Sequence, residues 1–192
     1  SATSEVGEIS PSYYVGEGAG ALSPLRRESA HALDPVSASR TVVMAIDLGT
    51  TTGWAMRTQD AQVVHGFESF KPSRYEGGGM RYLRFKRWLS DTRHLANEIH
   101  CVYFEEVRRH AGVDAAHVYG GLLATLTAWC EHLNIPYQGV PVGTIKKHAT
   151  GKGNAGKTEV MDAMRELGHP VTDDNEADAL ALLHWALDTQ EG

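Results

Sequence analysis

Val42-Val43-Met44-Ala45-Ile46-Asp47-Leu48-Gly49-Thr50-Thr51-Thr52 is the stretch whose reading decides the fold. Five consecutive apolar residues run into one carboxylate and then into a Gly-Thr turn. An apolar run of this length, rich in β-branched residues and ended by a glycine, reads as a central strand buried on both faces. Asp47 then stands at the end of that strand, where a buried carboxylate is costly unless something positive meets it. Two readings fit: a cap for the following turn, where Asp is common, or a metal ligand on a rigid strand.

Working outward, strand one spans about Thr41–Leu48. Gly53–Arg57 and Gln62–Phe70 read as strands two and three around the polar turn Thr58-Gln59-Asp60, giving an antiparallel meander. After a loop with Gly77-Gly78-Gly79, helical spacing of Phe85, Trp88, Leu89, Leu95 and Ile99 predicts a helix over Met80–Ile99. Cys101–Val107 is a fourth strand, Asp114–Leu133 a helix with Gly120-Gly121 as a close-packing point, and Tyr137–Val142 a fifth strand. Gly143–Thr150 is a short helix or turn, Gly151–Gly156 a glycine-rich loop, and helices follow over Lys157–Leu167 and Asp174–Asp188. A meander followed by strands alternating with helices implies an α/β domain: a mixed five-stranded sheet with helices on both faces.

Residues 1–40, rich in Ser, Ala, Gly and Pro, read as a poorly ordered tail, and 41–192 as the folded domain. Acids outnumber basic residues in the tail, which argues against a transit peptide. Cys101 and Cys130 sit in apolar stretches and read as reduced core residues of an intracellular, cytoplasmic protein. No apolar run approaches the roughly 20 residues of a membrane span. The formal net charge is −6, but it is uneven: residues 71–110 hold nine Lys/Arg against five Asp/Glu, and 161–192 one against eight. A basic patch can therefore coexist with an acidic pole. Arg81, Arg84 and Arg87 recur every third residue, as a solvated face or as a surface for phosphates.

The informative constellation is acidic. Asp47 ends strand one, Glu105 ends strand four, and Asp178 lies in the last helix. If strands one and four are parallel neighbours, Asp47 and Glu105 emerge side by side, and a helix over that edge can bring Asp178 to them. Such charges repel unless a cation lies between them. Oxygen-only ligation suits Mg²⁺ or Mn²⁺. Two such ions roughly 4 Å apart can activate water for phosphodiester hydrolysis. Because the three acids are far apart in sequence, spacing alone leaves open that they are unrelated surface groups.

Four motifs together carry a resemblance. Asp47-Leu48-Gly49-Thr50-Thr51-Thr52-Gly53-Trp54-Ala55, Tyr103-Phe104-Glu105-Glu106-Val107, Lys146 with Gly151-Lys152-Gly153-Asn154-Ala155-Gly156-Lys157, and Asp174-Asn175-Glu176-Ala177-Asp178-Ala179-Leu180-Ala181 resemble the RuvC family of Holliday junction resolvases, and its phage-type members more than the cellular enzyme. The resemblance covers about residues 41–188. It implies an RNase H-like fold, a homodimer, and Mg²⁺-dependent nicking of branched DNA such as a four-way junction in a bacterial or phage-infected cell. It carries the catalytic, metal-holding acids onto Asp47, Glu105 and Asp178, and places Lys146 and Lys157 near the DNA backbone. Lys152, Arg81, Arg84 and Arg108 complete the expected DNA-binding set. The family usually has Asp or His three residues before the last acid, where this chain has Asn175. The expected fourth metal position is Asn175, with Asp174 adding charge nearby. Asp173 is expected to cap the last helix, with Glu176 completing a capping box.

The chief rival is nucleotide binding, since Gly151–Thr158 satisfies the pattern G-x-x-x-x-G-K-[ST]. A P-loop should leave a buried strand directly, and 143–150, with Lys146, Lys147 and His148, makes a poor one. A glycine-rich loop touching DNA phosphates suits the same residues. A second rival is a catalytically silent DNA-binding module of the same fold. The Asp-Leu-Gly-Thr-Thr run also resembles the phosphate loop of actin-like and sugar kinases, which need two such domains and a longer chain. Histidines, ten in all, read as scattered surface residues.

Overall fold

The computed structural model describes residues 41–107 and 112–191; the expected tail over 1–40 and Arg108 lie outside the described residues. Five strands form one sheet in the order β3-β2-β1-β4-β5. They are β1 (Val43–Asp47), β2 (Thr51–Arg57), β3 (Val63–Ser69), β4 (Cys101–Glu106) and β5 (Tyr137–Pro141). The helices are α1 (Met80–Leu95), α2 (Val113–Leu133), α3 (Val142–Thr150), α4 (Lys157–Glu166) and α5 (Asp174–Glu191). β1 is the central strand. It pairs antiparallel with β2 and parallel with β4, while β2 with β3 is antiparallel and β4 with β5 parallel.

Alternation along β1 divides the core. Val42, Met44, Ile46 and Leu48 pack on one face with Phe85 and Leu89 of α1 and Leu122, Leu126 and Trp129 of α2. Val43 and Ala45 face the other way, against Leu180, Leu183 and the alanines of α5, with Ile145 of α3 and Val160 and Met164 of α4 behind. Period-two alternation thus makes one strand the floor of two cores, each fully buried large side chain contributing about 1.5–3 kcal/mol. α5 lies between the sheet and the α3–α4 pair, which explains why it is apolar nearly all round.

Small departures from the sequence reading have local causes. β2 starts at Thr51, not Gly53, because the buried Thr52 hydroxyl donates to the Gly49 carbonyl at 2.8 Å and closes a tight β1–β2 turn. α1 stops at Leu95, not Ile99. Asn97 adopts a left-handed φ of 69°, Leu95 is 87% exposed, and Ile99 is buried from the connector instead. Of the two glycines in α2 only Gly121 is a close-packing point: a Cβ there would lie 2.3 Å from the Tyr82 ring, whereas Gly120 faces open space. Among the described residues both cysteines are free, and no helix is long and apolar enough to cross a membrane.

Candidate active site

Register places the acids. Asp47 shares its face of β1 with Val43 and Ala45, and Glu105 shares its face of β4 with Cys101 and Tyr103; both strands turn that face toward α5. Ile46 pairs with Phe104 in the parallel β1–β4 ladder, so Asp47 and Glu105, one residue further along each strand, leave the same edge of the sheet together. The end of β4 is held by Tyr119 of α2, whose hydroxyl donates to the Glu105 carbonyl at 2.9 Å and accepts from the Val107 amide at 3.2 Å.

α5 brings the third acid, and a glycine sets its approach. Gly53 pairs with Asp47 in the β1–β2 ladder. A Cβ on Gly53 would lie 1.8 Å from the backbone oxygen of Asn175, so only glycine lets the first turn of α5 sit directly on the sheet beside Asp47. Asp173 caps that turn, its Oδ1 accepting from the Asn175 amide at 2.9 Å and the Glu176 amide at 3.4 Å. The expected capping box is altered: Glu176 reaches past the cap to the Thr172 amide at 3.1 Å, and its other oxygen meets His65 Nδ1 at 2.7 Å.

Asp47, Glu105 and Asp178 act on one another electrostatically. All three are half-buried, so the groups stay reachable from solvent. Asp47 is pushed well above the usual carboxylate range, first by burial, then by repulsion from Glu105, Asp178 and Asp174. Glu105 rises to about 7 through burial and repulsion from Asp178, opposed by Lys146. Asp178 rises to about 6, again chiefly through burial, with Lys146 and Lys157 opposing. Three carboxylates that disfavour one another's charge, on rigid backbone, form an all-oxygen donor set of the kind hard divalent cations use. The residues fit such an ion by chemistry. Among the described residues, however, no three acidic, imidazole or thiol side chains already converge in a metal-holding group.

The remaining expected residues divide. Lys146 donates to the Ala155 carbonyl at 2.9 Å while its charge acts on Glu105 and Asp178. Lys157, first residue of α4, is paired with Asp174, so the charge assigned to the metal site is met by a lysine of the chain. The Asn175 side-chain amide donates to Asp173 at 2.9 Å, which engages one end of that group in the helix cap. Lys152 pairs with Glu159 at 3.0 Å. Arg81 and Arg84 belong to α1, which packs on the opposite face of the sheet from the acids. Arg84 is bound at 2.5 Å to Glu76 and at 3.4 Å to the Lys71 carbonyl.

The P-loop context is absent. Gly151 ends helix α3 in a left-handed conformation, φ 79°, so the glycine-rich segment joins two helices and does not follow a strand. Gly53 and Tyr119 were not singled out as site-building residues by sequence reasoning. A glycine opposite a strand-end acid was the available signal for the first, and none pointed to the second. A set of histidines, described below, was missed as well.

No protein-family model and no curated protein sequence matches the chain. Similarity lies in the fold. A Thermus thermophilus RuvC structure described as in complex with Holliday junction substrate is 23% identical over 79% of this chain and 96% of its own, with a TM-score of 0.66. A second Thermus thermophilus RuvC structure gives 23%, 79%, 97% and 0.64. The yeast mitochondrial Holliday junction resolvase Ydc2 gives 16%, 79%, 80% and 0.55. The chain therefore has the RuvC-like, RNase H-like fold that its four motifs led us to expect.

Proposed function

We propose that this protein is a divalent-metal-dependent endodeoxyribonuclease that nicks branched DNA and resolves four-way junctions. The observation that carries the reading is that the register puts Asp47 and Glu105 at one sheet edge and α5 carries Asp178 over it, with Lys146 and Lys157 acting on these acids electrostatically. Asp47, Glu105 and Asp178 would hold Mg²⁺ or Mn²⁺, with Asn175 and Asp174 as further donors. Bound there, the ion would supply Lewis-acid activation of water and charge stabilisation at the phosphodiester.

The chain's own residues do the rest. The ends of β1 and β4 fix two carboxylates on strands, the most rigid placement available. Gly53 and the Asp173 cap seat α5 so that Asp178 meets them. Lys146 and Lys157 would meet the phosphate, each exchanging a protein oxygen, of Ala155 or Asp174, for a phosphate oxygen. The likeness in fold to RuvC and Ydc2 supports DNA junctions as the substrate class.

Incubation with a synthetic four-way junction, with and without Mg²⁺, tests this reading. Asp47→Asn, Glu105→Gln and Asp178→Asn should each reduce nicking by several orders of magnitude while junction binding, carried by cationic groups, stays nearly intact. Wild-type nicking by any one variant removes that residue from the site. Junction binding without cleavage under all divalent ions would favour the catalytically silent alternative.

A further inference from the structure

Four imidazoles and two carboxylates lie in contact pairs along α5: His65 with Glu176, His169 with His184, and His148 with Asp188. His169, in the α4–α5 connection, and His184 of α5 meet Nε2 to Nε2 at 2.8 Å. The His65 ring of β3 stands edge-on to His169 with centroids 5.5 Å apart, and its Nδ1 is held by Glu176. On the other side of His184, Asp188 lies one helical turn on, and Asp188 Oδ2 meets His148 Nε2 of α3 at 2.9 Å. His148, His184 and Asp188 line a cleft of about 650 Å³ between α3, α4 and α5.

From this geometry we propose a second metal site, for a borderline cation of the Zn²⁺ class, whose first two donors are His169 Nε2 and His184 Nε2. Imidazole nitrogen suits Zn²⁺ far better than Mg²⁺. Two nitrogens on a tetrahedral ion at about 2.0–2.1 Å stand roughly 3.4 Å apart, so the pair needs to open by only about half an ångström. The ion replaces the shared hydrogen bond: the donor ring releases its Nε2 proton to solvent and takes one up at Nδ1, so that both neutral rings present an Nε2 lone pair. Burial first, and then neighbouring imidazoles, lower the pKa of both rings and so favour the neutral, ligating form, while Asp188 opposes this at His184. Asp188 is four residues from His184, hence on the same helix face, and is the carboxylate able to turn from His148 to complete the set. Because His169 precedes α5 and His184 lies within it, the ion would brace the helix that carries Asp178. The site does not depend on the proposed nuclease activity.

Thermal unfolding and calorimetry of the full chain with ZnCl₂, and Co²⁺ absorption as a second probe, decide the matter. Expected is one Zn²⁺ per chain, a Tm that rises with Zn²⁺ concentration, and tetrahedral Co²⁺ bands. All three should be retained in Asp47→Asn/Glu105→Gln/Asp178→Asn. In His169→Gln and in His184→Gln the affinity should fall more than the roughly 10- to 100-fold that loss of a merely supporting group costs. Asp188→Asn should weaken binding less. Circular dichroism in chelator shows whether each variant is folded, and should His184→Gln fail to fold, His169→Gln in the exposed connection carries the test. Zinc binding undiminished in His169→Gln, lost in the acid-site triple variant, or absent from the wild type overturns the proposal and leaves a hydrogen-bonded histidine pair only.

Discussion

Asp47, Glu105 and Asp178 ionise less readily than carboxylates in water, chiefly because the sheet and α5 strip solvent from them and then because they face one another. Folded-state values of about 7 for Glu105 and about 6 for Asp178 lie above the roughly 4 of an unfolded chain. Their protonated forms therefore favour folding. That contribution is complete below about pH 4 and is lost as the pH rises through 6 and 7. In chelator, the wild type should lose stability from pH 5 to pH 8, and Glu105→Gln should flatten the loss. At pH 8 the variant should be the more stable by on the order of 2 kcal/mol, or about 4–8 °C in Tm for a chain of this size. Mg²⁺ should raise the wild-type Tm and leave the variant nearly unmoved. Differential scanning calorimetry across that range checks it, and a Glu105→Gln protein less stable than wild type at pH 8 in chelator would assign Glu105 a structural role instead. That Asp47 and Glu105 end strands β1 and β4 was legible because each follows an apolar run, although β4 ends in two acids and only its alternation turns Glu105 to the face shared with Cys101 and Tyr103. The Lys157–Asp174 and His169–His184 pairs were not legible, because they join segments 17 and 15 residues apart whose meeting depends on how α4 and α5 pack.

The strands and helices were legible to within a few residues because each carries its own period: two along β1, 3.6 along α2. What the sequence did not disclose is how near α5 comes to β2. That separation depends on the absence of one side chain, at Gly53, beneath the Asn175 carbonyl. Gly53→Ala leaves a strand position that alanine tolerates, so β2 should persist, but the first turn of α5 must lift by more than an ångström to clear a Cβ now 1.8 Å from the Asn175 oxygen. Overpacking of this kind costs about 1–3 kcal/mol. Displacement of Asp174, Asn175 and Asp178 relative to Asp47 should lower the nicking rate by roughly 100-fold, the usual scale for a 1 Å error in a catalytic group. Junction affinity should stay within a few-fold of wild type, since the lysines are on other elements. Single-turnover rates beside Kd measurements separate the two effects. An unchanged rate in a folded Gly53→Ala protein would mean that α5 can slide without moving the acids.

At the scale of the whole molecule the constraint is the symmetry of the proposed substrate. A four-way junction is nearly two-fold symmetric, and its resolution takes one nick in each of two opposed strands. Among the described residues β1, β4 and α5 each occur once, so each chain offers one candidate site of this kind. Two copies related by a two-fold axis would present identical sites to the two strands, the arrangement that a closed isologous dimer supplies. The sequence bears on this only through the inherited resemblance, since an interface leaves no period in a single chain. The formal charge of −6 makes the same point about binding: attraction to DNA has to come from local lysines and arginines and should fall steeply with salt. The discriminating experiment mixes wild-type chains with an excess of Asp47→Asn chains, after exchange of subunits, and presents a cruciform on a supercoiled plasmid. Wild-type dimers place both nicks within one binding event and yield linear plasmid. Mixed dimers, with one working site, nick once, relax the supercoil that maintains the cruciform, and should yield open circles. Linear product should therefore fall with the square of the wild-type fraction while open circles rise. A linear yield proportional to the first power of that fraction, together with monomer by light scattering both free and on the junction, would mean that one chain makes both nicks in turn.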